Sequence, residues 1–397
     1  METGISILQG TASRLEIEDE SVDLIITSPP YPMVEMWDEI FSKQEERIPA
    51  CLSEARGRDA FLLMHGVLDK AWAEAYRVLK KGGIACINIG DATRTLDGNF
   101  QLYSNHSRIL NSCLELGFAS LPDILWRKPT NAPNKFMGSG MLPVGAYVTY
   151  EHEYILVLRK GDRREFKTVT DKERRRKSAF FWEERNIWFS DIWFDIRGTG
   201  QGLVEKSTRE RSAAFPFELA YRLISMFSIK EDVVLDPFVG TGTTLAASLA
   251  SGRNSIGIEI DETFIPSICS LVKSIPSVAN DYSRERLLRH IKFVEKRTEE
   301  KGALKHSNIH YGFPVMTAQE KELIISEVSS IKERGNYHFD VSYVEEPQSD
   351  FVERSPGLEY IKNRNPPSTS ASPKRKRGRP KVVPEVAPEA VQSQLRL

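Results

Sequence analysis

Two short segments of this sequence combine residue types that could hold and activate a ligand. The first is Ser28-Pro29-Pro30-Tyr31, which directly follows the apolar run 22–27. Each proline lacks a backbone N–H and has a fixed φ angle, so a strand must end here in a stiff turn. The turn presents a hydroxyl, fixed carbonyls and one aromatic ring, a set that suits a flat ring bearing an amino group. Taken alone, the two prolines could simply end a strand.

The second segment is DPFVGTGTT at positions 236–244, which follows the apolar run 233–235. Its glycines allow a close backbone approach, and the start of the following helix offers free N–H groups to the polar end of a ligand. No lysine follows the glycines, so the segment is not a phosphate-binding loop of the GxxxxGK type. For the glycines alone, the alternative is a tight turn between a strand and a helix. The candidate binding residues are Asp236, Pro237, Phe238, Gly240, Thr241, Gly242, Thr243 and Thr244.

Glu259 is the acidic partner that such a loop requires. It ends the next predicted strand, which lies beside the loop in a doubly wound sheet. A carboxylate at that place can accept hydrogen bonds from two ribose hydroxyls. The sequence therefore predicts a nucleoside-containing cofactor at the loop.

Apolar periodicity predicts the elements that position these residues. Strands alternate with amphipathic helices, which is typical of a mostly parallel α/β sheet with helices on both faces. The predicted strands are 5–8, 22–26, 84–89, 233–235 and 256–259, with an antiparallel pair at 124–126 and 154–158. The predicted helices are a stripe from Leu68 to Leu79 capped by Gly82-Gly83, a helix ended by Gly117, a stripe at Leu219, Leu223 and Phe227, and the segments 243–250, 262–298 and 318–334. Both candidate segments follow strands, so they lie at the carboxyl edge, where such folds bind ligands; Asn88 and Asp91 could line the same crevice.

Together the two segments resemble the motifs of the DNA amino-methyltransferases that use S-adenosylmethionine, most closely the N4-cytosine group. The reacting turn precedes the cofactor loop, which matches the circularly permuted beta group, and the resemblance covers about residues 5–265. It implies a doubly wound, mostly parallel, Rossmann-like methyltransferase sheet that binds S-adenosyl-L-methionine. The implied cofactor residues are Phe238 and Gly240–Gly242 on the methionine side, Glu259 at the ribose, and Phe215 and Pro216 as a second element. The family usually has Asp after the glycine of the first strand, whereas here Thr11 follows Gly10.

The resemblance gives the reacting turn a specific chemistry. An exocyclic amine must become more tetrahedral to attack a methyl group, and the Ser28 hydroxyl and Pro29 carbonyl are acceptors that favour this change. The base must leave the duplex, and Tyr31 offers a ring on which it could stack. Ser28 favours N4-cytosine, since the N6-adenine group usually has Asp there. The alternatives are an N6-adenine methyltransferase and a non-catalytic DNA-binding regulator with the same fold.

Region 159–211 interrupts the α/β pattern and is predicted to read double-stranded DNA. It contains 15 Lys and Arg against 10 Asp and Glu. In the beta group this is where the target-recognition region is inserted. Arginines can grip phosphates or guanine edges, and aromatic rings can wedge where a base has left. The predicted contacts are Arg174, Arg175, Arg176, Lys177, Trp182 and Arg197, with Phe180, Phe181, Trp188 and Trp193 as further aromatics. The alternative is a solvated insertion whose aromatics form a small core of their own.

The C-terminal segment 355–397 is rich in Pro, Ser, Lys and Arg and is predicted to be disordered. It contains KRKRGRPK at 374–381, which resembles an AT-hook, whose Arg377-Gly378-Arg379-Pro380 core would lie in the narrow minor groove of A·T tracts. The alternative is a charged, soluble tail.

Composition sets the remaining expectations. The 397 residues are 40% hydrophobic with a net charge of −1, enough for one large α/β domain with additions. We predict a catalytic half at 1–158, the target-recognition region at 159–211, a cofactor half at 212–300, an extension of unknown role at 301–354, and the tail. Four scattered cysteines without a CxxC pair predict neither a metal site nor disulfides. No signal peptide or membrane-length apolar run is recognised, so a cytoplasmic, nucleoid-associated enzyme is expected, with a cognate restriction endonuclease as system partner.

Overall fold

The computed structural model describes residues 1–128, 137–196 and 215–344. The strands are β1 (Glu2–Gln9), β2 (Val22–Thr27), β3 (Leu79–Ile89), β4 (Ala92–Leu96), β5 (Asn99–Tyr103), β6 (Phe118–Ser120), β7 (Ile124–Arg127), β8 (Met137–Gly138), β9 (Ala146–Tyr147), β10 (His152–Lys160), β11 (Ile192–Trp193), β12 (Val233–Asp236), β13 (Asn254–Glu259), β14 (His306–Ser307), β15 (Pro314–Val315), β16 (Val328–Gly335) and β17 (His338–Tyr343). The α-helices are α1 (Asp38–Gln44), α2 (Ile48–Ser53), α3 (Gly57–Val78), α4 (Asn105–Leu116), α5 (Val169–Lys177), α6 (Trp182–Trp188), α7 (Phe217–Phe227), α8 (Thr243–Ser251) and α9 (Ile265–Lys301).

The main sheet has a parallel centre with antiparallel margins, as the sequence predicts. Its order is β11-β7-β10-β3-β2-β12-β13-β1-β17-β16, and β6 pairs with β10. The five central strands run parallel to one another: β3, β2, β12, β13 and β1. At the two sides of this group, β10 is antiparallel to β3 and β17 is antiparallel to β1. The register places Ile25 beside Leu235, so the strand before the reacting turn lies next to the strand before the cofactor loop.

Helices cover both faces of this sheet, and each face has its own hydrophobic core. Side chains alternate along a strand, so Leu24 and Ile26 enter one core while Ile25 enters the other. The first core packs against α7, α8 and α9, and the second packs against α1 to α4. The Rossmann-like doubly wound fold class predicted from the sequence is therefore confirmed.

Two local predictions are wrong. Segment 318–334 is not a helix: a short 3-10 turn at Ala318–Glu320 precedes strand β16, which pairs with β17 at the sheet margin. Most side chains of β16 are exposed, so the strand lacks the apolar alternation that would identify it. The Gly82-Gly83 pair does not cap a helix, because α3 ends at Val78 and both glycines lie within β3. Region 159–211, where the α/β pattern is interrupted, contains α5, α6 and β11.

Other predicted boundaries are close. The helix before Gly117 ends in the left-handed conformation that favours glycine, with a φ of 100°. The pair formed by β7 and β10 is antiparallel, with Tyr154 opposite Leu125. Across the described ranges, no helix has both the length and the apolar character needed to cross a bilayer. All four cysteines are buried and unbridged.

Candidate functional site

The carboxyl ends of the parallel strands meet at one edge of the sheet, here called the reactive edge. Gly10, Ser28 and Pro237 follow three of these strands directly, and Glu259 ends a fourth. Together they line a cavity of about 530 Å³, a volume typical of a small-molecule site. The structure thus brings both sequence-predicted segments to one concave surface.

A buried hydrogen bond ties the two segments together. The Thr27 hydroxyl donates to Oδ1 of Asp236 over 2.7 Å, and the Phe238 N–H donates to the same oxygen over 3.1 Å. The Thr244 hydroxyl donates to Oδ2 over 2.5 Å, so Asp236 also holds the start of α8. Burial raises the pKa of Asp236 to about 6. Asp236 therefore shapes the loop through contacts within the protein.

The cofactor loop is held open by its glycines. Gly240 and Gly242 have φ angles of 51° and 88°, a region that residues with a Cβ rarely adopt. A Cβ on Gly242 would lie 3.0 Å from Ile268, whereas a Cβ on Gly240 would meet nothing closer than the Phe238 carbonyl at 3.9 Å. The backbone at Gly240 can therefore be approached closely by a ligand.

Glu259 braces this loop from the neighbouring strand. Its Oε2 accepts the Gly240 N–H over 3.0 Å, and its Oε1 accepts the Asp261 N–H over 2.9 Å. Each carboxylate oxygen has a further lone pair available for a ligand hydroxyl. Burial is the main cause that raises the pKa of Glu259. The buried Thr241 hydroxyl also lines the cavity, and among the described residues it has no hydrogen-bond partner. A ligand with polar groups fits this surface.

The opposite wall of the cavity is apolar and was largely missed by the sequence reasoning. Trp37 and Phe41 come from the first short helical segments, and Val67 and Ala71 come from α3. Phe238 meets Trp72 in an edge-on contact with ring centroids 6.2 Å apart. The predicted Phe215 does line the cavity, while Pro216 caps α7 next to it. Residues 35–44 gave no clear signal because their helical pieces, of three and seven residues, are too short to establish an apolar period.

The reacting turn rests on a buried network of polar side chains. The Ser28 and Tyr31 hydroxyls are 3.1 Å apart, and the Asn88 amide donates to the Tyr31 oxygen over 2.9 Å. The Tyr31 hydroxyl donates to Oε2 of Glu153 over 3.1 Å, and Lys128 donates to Oε1 over 2.9 Å. Burial, with the nearby Glu153 carboxylate, raises the pKa of Tyr31 well above its usual range, so the phenol keeps its proton. Asn88 was a sequence candidate, whereas Glu153 and Lys128 were not.

Tyr31 is more deeply buried than its predicted stacking role suggests. The side chain is only 8% exposed and belongs to the core beneath α3. A Cβ on Gly90 would lie 3.0 Å from the ring carbon Cε2, so backbone covers the ring closely. Packing holds the ring in place while its hydroxyl joins the network, and stacking of a base on the ring stays a prediction. Ser28, Pro29 and Pro30 line the cavity as predicted.

A second network supports the backbone of the turn. The Asn105 amide donates to the carbonyls of Pro32 and Gly90 over 3.1 and 3.0 Å. Its Oδ1 must then face His65 Nε2, at 3.0 Å, so this nitrogen carries the proton. His65 Nδ1 is buried without a partner among the described residues, and burial lowers the pKa of His65 to about 4. The other candidate after β3, Asp91, pairs with His106 rather than the cavity.

The arginine cluster predicted to contact DNA lies at the other edge of the sheet. Arg174 donates to the Lys230 carbonyl over 2.6 Å and lies 3.4 Å from Asp232, and both partners precede β12. Arg164 pairs with Asp232 over 2.6 Å and lies 3.5 Å from Asp23, near the start of β2. β2 has six residues, so this cluster is roughly 20 Å from Ser28.

The remaining predicted contacts have different surroundings. Arg176 pairs with Glu322 over 2.8 Å, the Arg175 guanidinium lies over the Phe166 ring, and Lys177 is exposed. Trp182 stacks on Phe293 with ring centroids 5.8 Å apart. Phe181, Trp188 and Trp193 are buried, but they do not form a small core of their own: Trp188 and Trp193 belong to the first core of the main sheet, and Phe181 packs with Leu287 and Ile291 of α9. Arg197, Arg377 and Arg379 lie outside the described residues. For all of these residues a DNA contact stays a prediction.

The chain is similar to a family of known proteins and to several of its members. A family model described as DNA methylase matches residues 22–270. The Type II methyltransferase M.MthZI of Methanothermobacter thermautotrophicus is 47% identical over 338 residues, which cover 85% of this chain and 94% of that protein. M.MjaI, a Type II methyltransferase of Methanocaldococcus jannaschii, is 49% identical over 278 residues, covering 67% of this chain and 90% of its own. Among solved structures, the DNA modification methylase TTHA0409 of Thermus thermophilus, complexed with S-adenosyl-L-methionine, is 33% identical, with a TM-score of 0.52 over 68% of this chain and 95% of that chain.

Proposed function

Since the chain belongs to the DNA methylase family, we propose that it methylates the N4 amine of cytosine in double-stranded DNA as the modification enzyme of a restriction–modification system. It is a DNA methyltransferase, and its methyl donor is S-adenosyl-L-methionine. Two Type II methyltransferases among its relatives support the restriction–modification setting. The base, the target sequence and a cognate endonuclease belong to the proposal.

The cavity at the reactive edge is the proposed cofactor site. Glu259 would accept the ribose hydroxyls with its remaining lone pairs, and the Gly240 backbone would allow the amino-acid end to approach. The unpartnered Thr241 hydroxyl would gain a polar partner on binding. Phe215, Trp37 and Phe41 would exclude water from the apolar parts.

The reacting turn would act on the amine of a base that has left the duplex. When bound, the cofactor supplies a methyl group activated by a positively charged sulfur. The Ser28 hydroxyl and the Pro29 carbonyl would accept the hydrogens of the amine, which favours its change toward a tetrahedral nitrogen. The stiff Pro29-Pro30 backbone and the Thr27–Asp236 bond hold these acceptors beside the cofactor loop. The Cys86 thiol, buried in β3, is not suited to attack a base, because burial raises its pKa above the usual range.

One observation carries the choice of cytosine: the first residue of the turn is Ser28, and it lines the cavity. An uncharged hydroxyl at this place is similar to the N4-cytosine group, whereas an aspartate is usual in the N6-adenine group. The carboxylate that contacts the Tyr31 hydroxyl of the turn, Glu153, is paired with Lys128 over 2.9 Å and is not among the residues that line the cavity.

Mass spectrometry of nucleosides tests the proposal. DNA from cells that express the protein and otherwise lack methylation should contain N4-methylcytosine, and DNA from cells expressing Ser28→Ala should contain much less. N6-methyladenine would contradict the base assignment and keep the rest. If methylated bases are absent although the purified protein binds both cofactor and DNA, the protein is a non-catalytic regulator.

A further inference from the structure

We propose that Glu153 is a positioning residue that fixes the direction of the Ser28 hydrogen bond, so that the Ser28 oxygen faces the substrate as an acceptor. The proposal rests on the proposed function, because it concerns the amine that Ser28 receives. Glu153 lies on β10, at the end that meets the reactive edge, and is not part of either sequence motif. Its side chain reaches the reacting turn through Tyr31.

Glu153 acts only as an acceptor in this network. Its partners are the Lys128 ammonium at 2.9 Å, the Asn88 amide at 2.7 Å and the Tyr31 hydroxyl at 3.1 Å. The ammonium and the amide NH₂ can only donate to these oxygens, whereas the Tyr31 hydroxyl can donate or accept, so a proton on the carboxyl group would compete with Lys128 and Asn88. Lys128 also supplies the opposite charge that a poorly solvated carboxylate needs. Glu153 is therefore held as a carboxylate.

This charge decides where the single Tyr31 proton points. The hydroxyl contacts Ser28 at 3.1 Å and Glu153 at 3.1 Å, and it can donate to only one of them. Because the carboxylate cannot donate, Tyr31 must donate to Glu153. The Ser28 hydroxyl must then be the donor in its contact with Tyr31, to an oxygen that also accepts from Asn88.

The direction of these hydrogen bonds prepares the Ser28 oxygen to accept a hydrogen from the substrate amine. Its only proton is committed to Tyr31, so both lone pairs are available on the side of the cavity that Ser28 lines. An amine bearing two hydrogens meets an acceptor and not another hydrogen. Such preorganisation places the acceptor before the reaction begins, which is how oriented dipoles contribute most to catalysis.

The variant Glu153→Gln allows the direction of these hydrogen bonds to reverse with little change in side-chain shape. Its amide oxygen would turn to the Lys128 ammonium, and its NH₂ group would then face Tyr31 and Asn88 as a donor. The Asn88 amide would have to turn so that its Oδ1, which has no partner among the described residues, accepts from this group. Tyr31 could then donate to Ser28, which would turn the Ser28 proton toward the substrate amine. We expect the single-turnover rate to fall by roughly 10- to 100-fold, the scale of one hydrogen bond to a reacting group. Cofactor affinity should stay within about twofold, since Glu153 does not line the cavity.

The decisive comparison is the effect of Glu153→Gln in a protein that already carries Tyr31→Phe. Tyr31→Phe removes the relay between Glu153 and Ser28, so Ser28 can turn freely, and adding Glu153→Gln should then change the rate by less than about threefold. Glu151→Gln is the matched control, because the Glu151 side chain, directly before β10, pairs with Arg127 of β7 at 3.1 Å and takes no part in the network. Urea unfolding of each variant excludes a loss of fold.

The rate is measured as transfer of labelled methyl to unmethylated amplified DNA under single-turnover conditions. Equal effects of Glu153→Gln in the presence and absence of the Tyr31 hydroxyl would overturn the proposal, as would a parallel loss of cofactor affinity. The product base is identified separately by nucleoside mass spectrometry. Finding N6-methyladenine therefore rejects the cytosine assignment without affecting this test, which needs only an amine.

Discussion

The Thr27 hydroxyl donates a 2.7 Å hydrogen bond to Asp236, and this bond joins the reacting turn to the cofactor loop although the residues are 209 positions apart. Both side chains are buried, and each stands at the end of its strand. The distance between the two parts of the site is thus set by adjacent parallel strands and one side-chain bond.

Asp236 should make stability depend on pH in an unusual direction. Its pKa is raised to about 6, so its favourable contribution is complete below the ordinary value near 3.8 and is lost as the pH rises through 6. Asp236→Asn cannot ionise, so its free energy of unfolding relative to wild type should increase by up to about 3 kcal/mol between pH 4 and pH 8. Urea unfolding across this range measures the difference. A difference that is independent of pH would contradict the prediction.

His65 should show the opposite dependence. Burial lowers its pKa to about 4, so its contribution is complete above the ordinary value of 6.5 and is lost as the pH falls through 4. Gln at position 65 can still donate to Asn105 but does not titrate. Relative to His65→Gln, wild type should lose up to about 3 kcal/mol of unfolding free energy between pH 7 and pH 4. Parallel stability curves for the two proteins would show that His65 titrates normally.

Binding of S-adenosyl-L-methionine should depend on Gly240 and Glu259 even without DNA. Gly240→Val adds a side chain on the open side of the loop at a φ of 51°, and Glu259→Ala removes the proposed ribose acceptor. Each should weaken affinity by roughly ten- to a hundredfold, as expected for a lost hydrogen bond to a charged acceptor or a blocked approach. Calorimetry on purified protein measures this. Gly335→Val is the control, because its φ of 90° brings similar strain at the turn between β16 and β17. Unchanged affinity in both site variants would reject the cofactor site.

Arg174 should contribute to stability and not to the choice of target. Arg174→Gln removes the donor that the Lys230 carbonyl uses and should lower the free energy of unfolding by about 1–3 kcal/mol. The exposed Lys172 on the same helix provides the control Lys172→Gln, which should be neutral within about 0.5 kcal/mol. Sequencing that resolves modified bases should find the same methylated sequence for both. A changed methylated sequence with Arg174→Gln would show that α5 takes part in DNA recognition.

Removal of residues 368–397 should weaken binding to all DNA sequences similarly. This segment contains the basic run 374–381, and each lost phosphate contact flattens the dependence of affinity on salt. Titrations of DNA at several salt concentrations should give a smaller slope for the truncated protein, with an unchanged methylated sequence. A new target sequence after truncation would place recognition in the tail.

The sequence predicted the reactive edge because both motifs follow apolar strands. Pro29 and Gly240 each determine backbone conformation locally, so their effect is visible without a structure. The role of Glu153 could not be predicted in this way, since it depends on the antiparallel return of β10 beside β3. Nothing near Glu153 in the chain indicates that Tyr31, 122 residues earlier, is its partner.

Contacts between residues far apart in the chain also explain why the partners of the arginine cluster were not predicted. A run of basic residues shows that cations are present, but not whether the protein itself supplies their partners. Arg174 pairs with groups near the start of β12, and their separation in the chain, 56 residues for Lys230, hides this contact from the sequence. Trp188 and Trp193 likewise gave an aromatic pattern that serves the core.

The position of β1 has a consequence for how the protein is made. Along the chain β1 is made long before β13 and β17, the two strands with which it pairs. Contacts so distant in sequence form slowly, and until then the edges of the growing sheet are unpaired and open to aggregation. A nascent chain that has passed Tyr31 carries the reacting turn but has no neighbouring β12 to position it. The two parts of the site therefore come together only after β12 has been made.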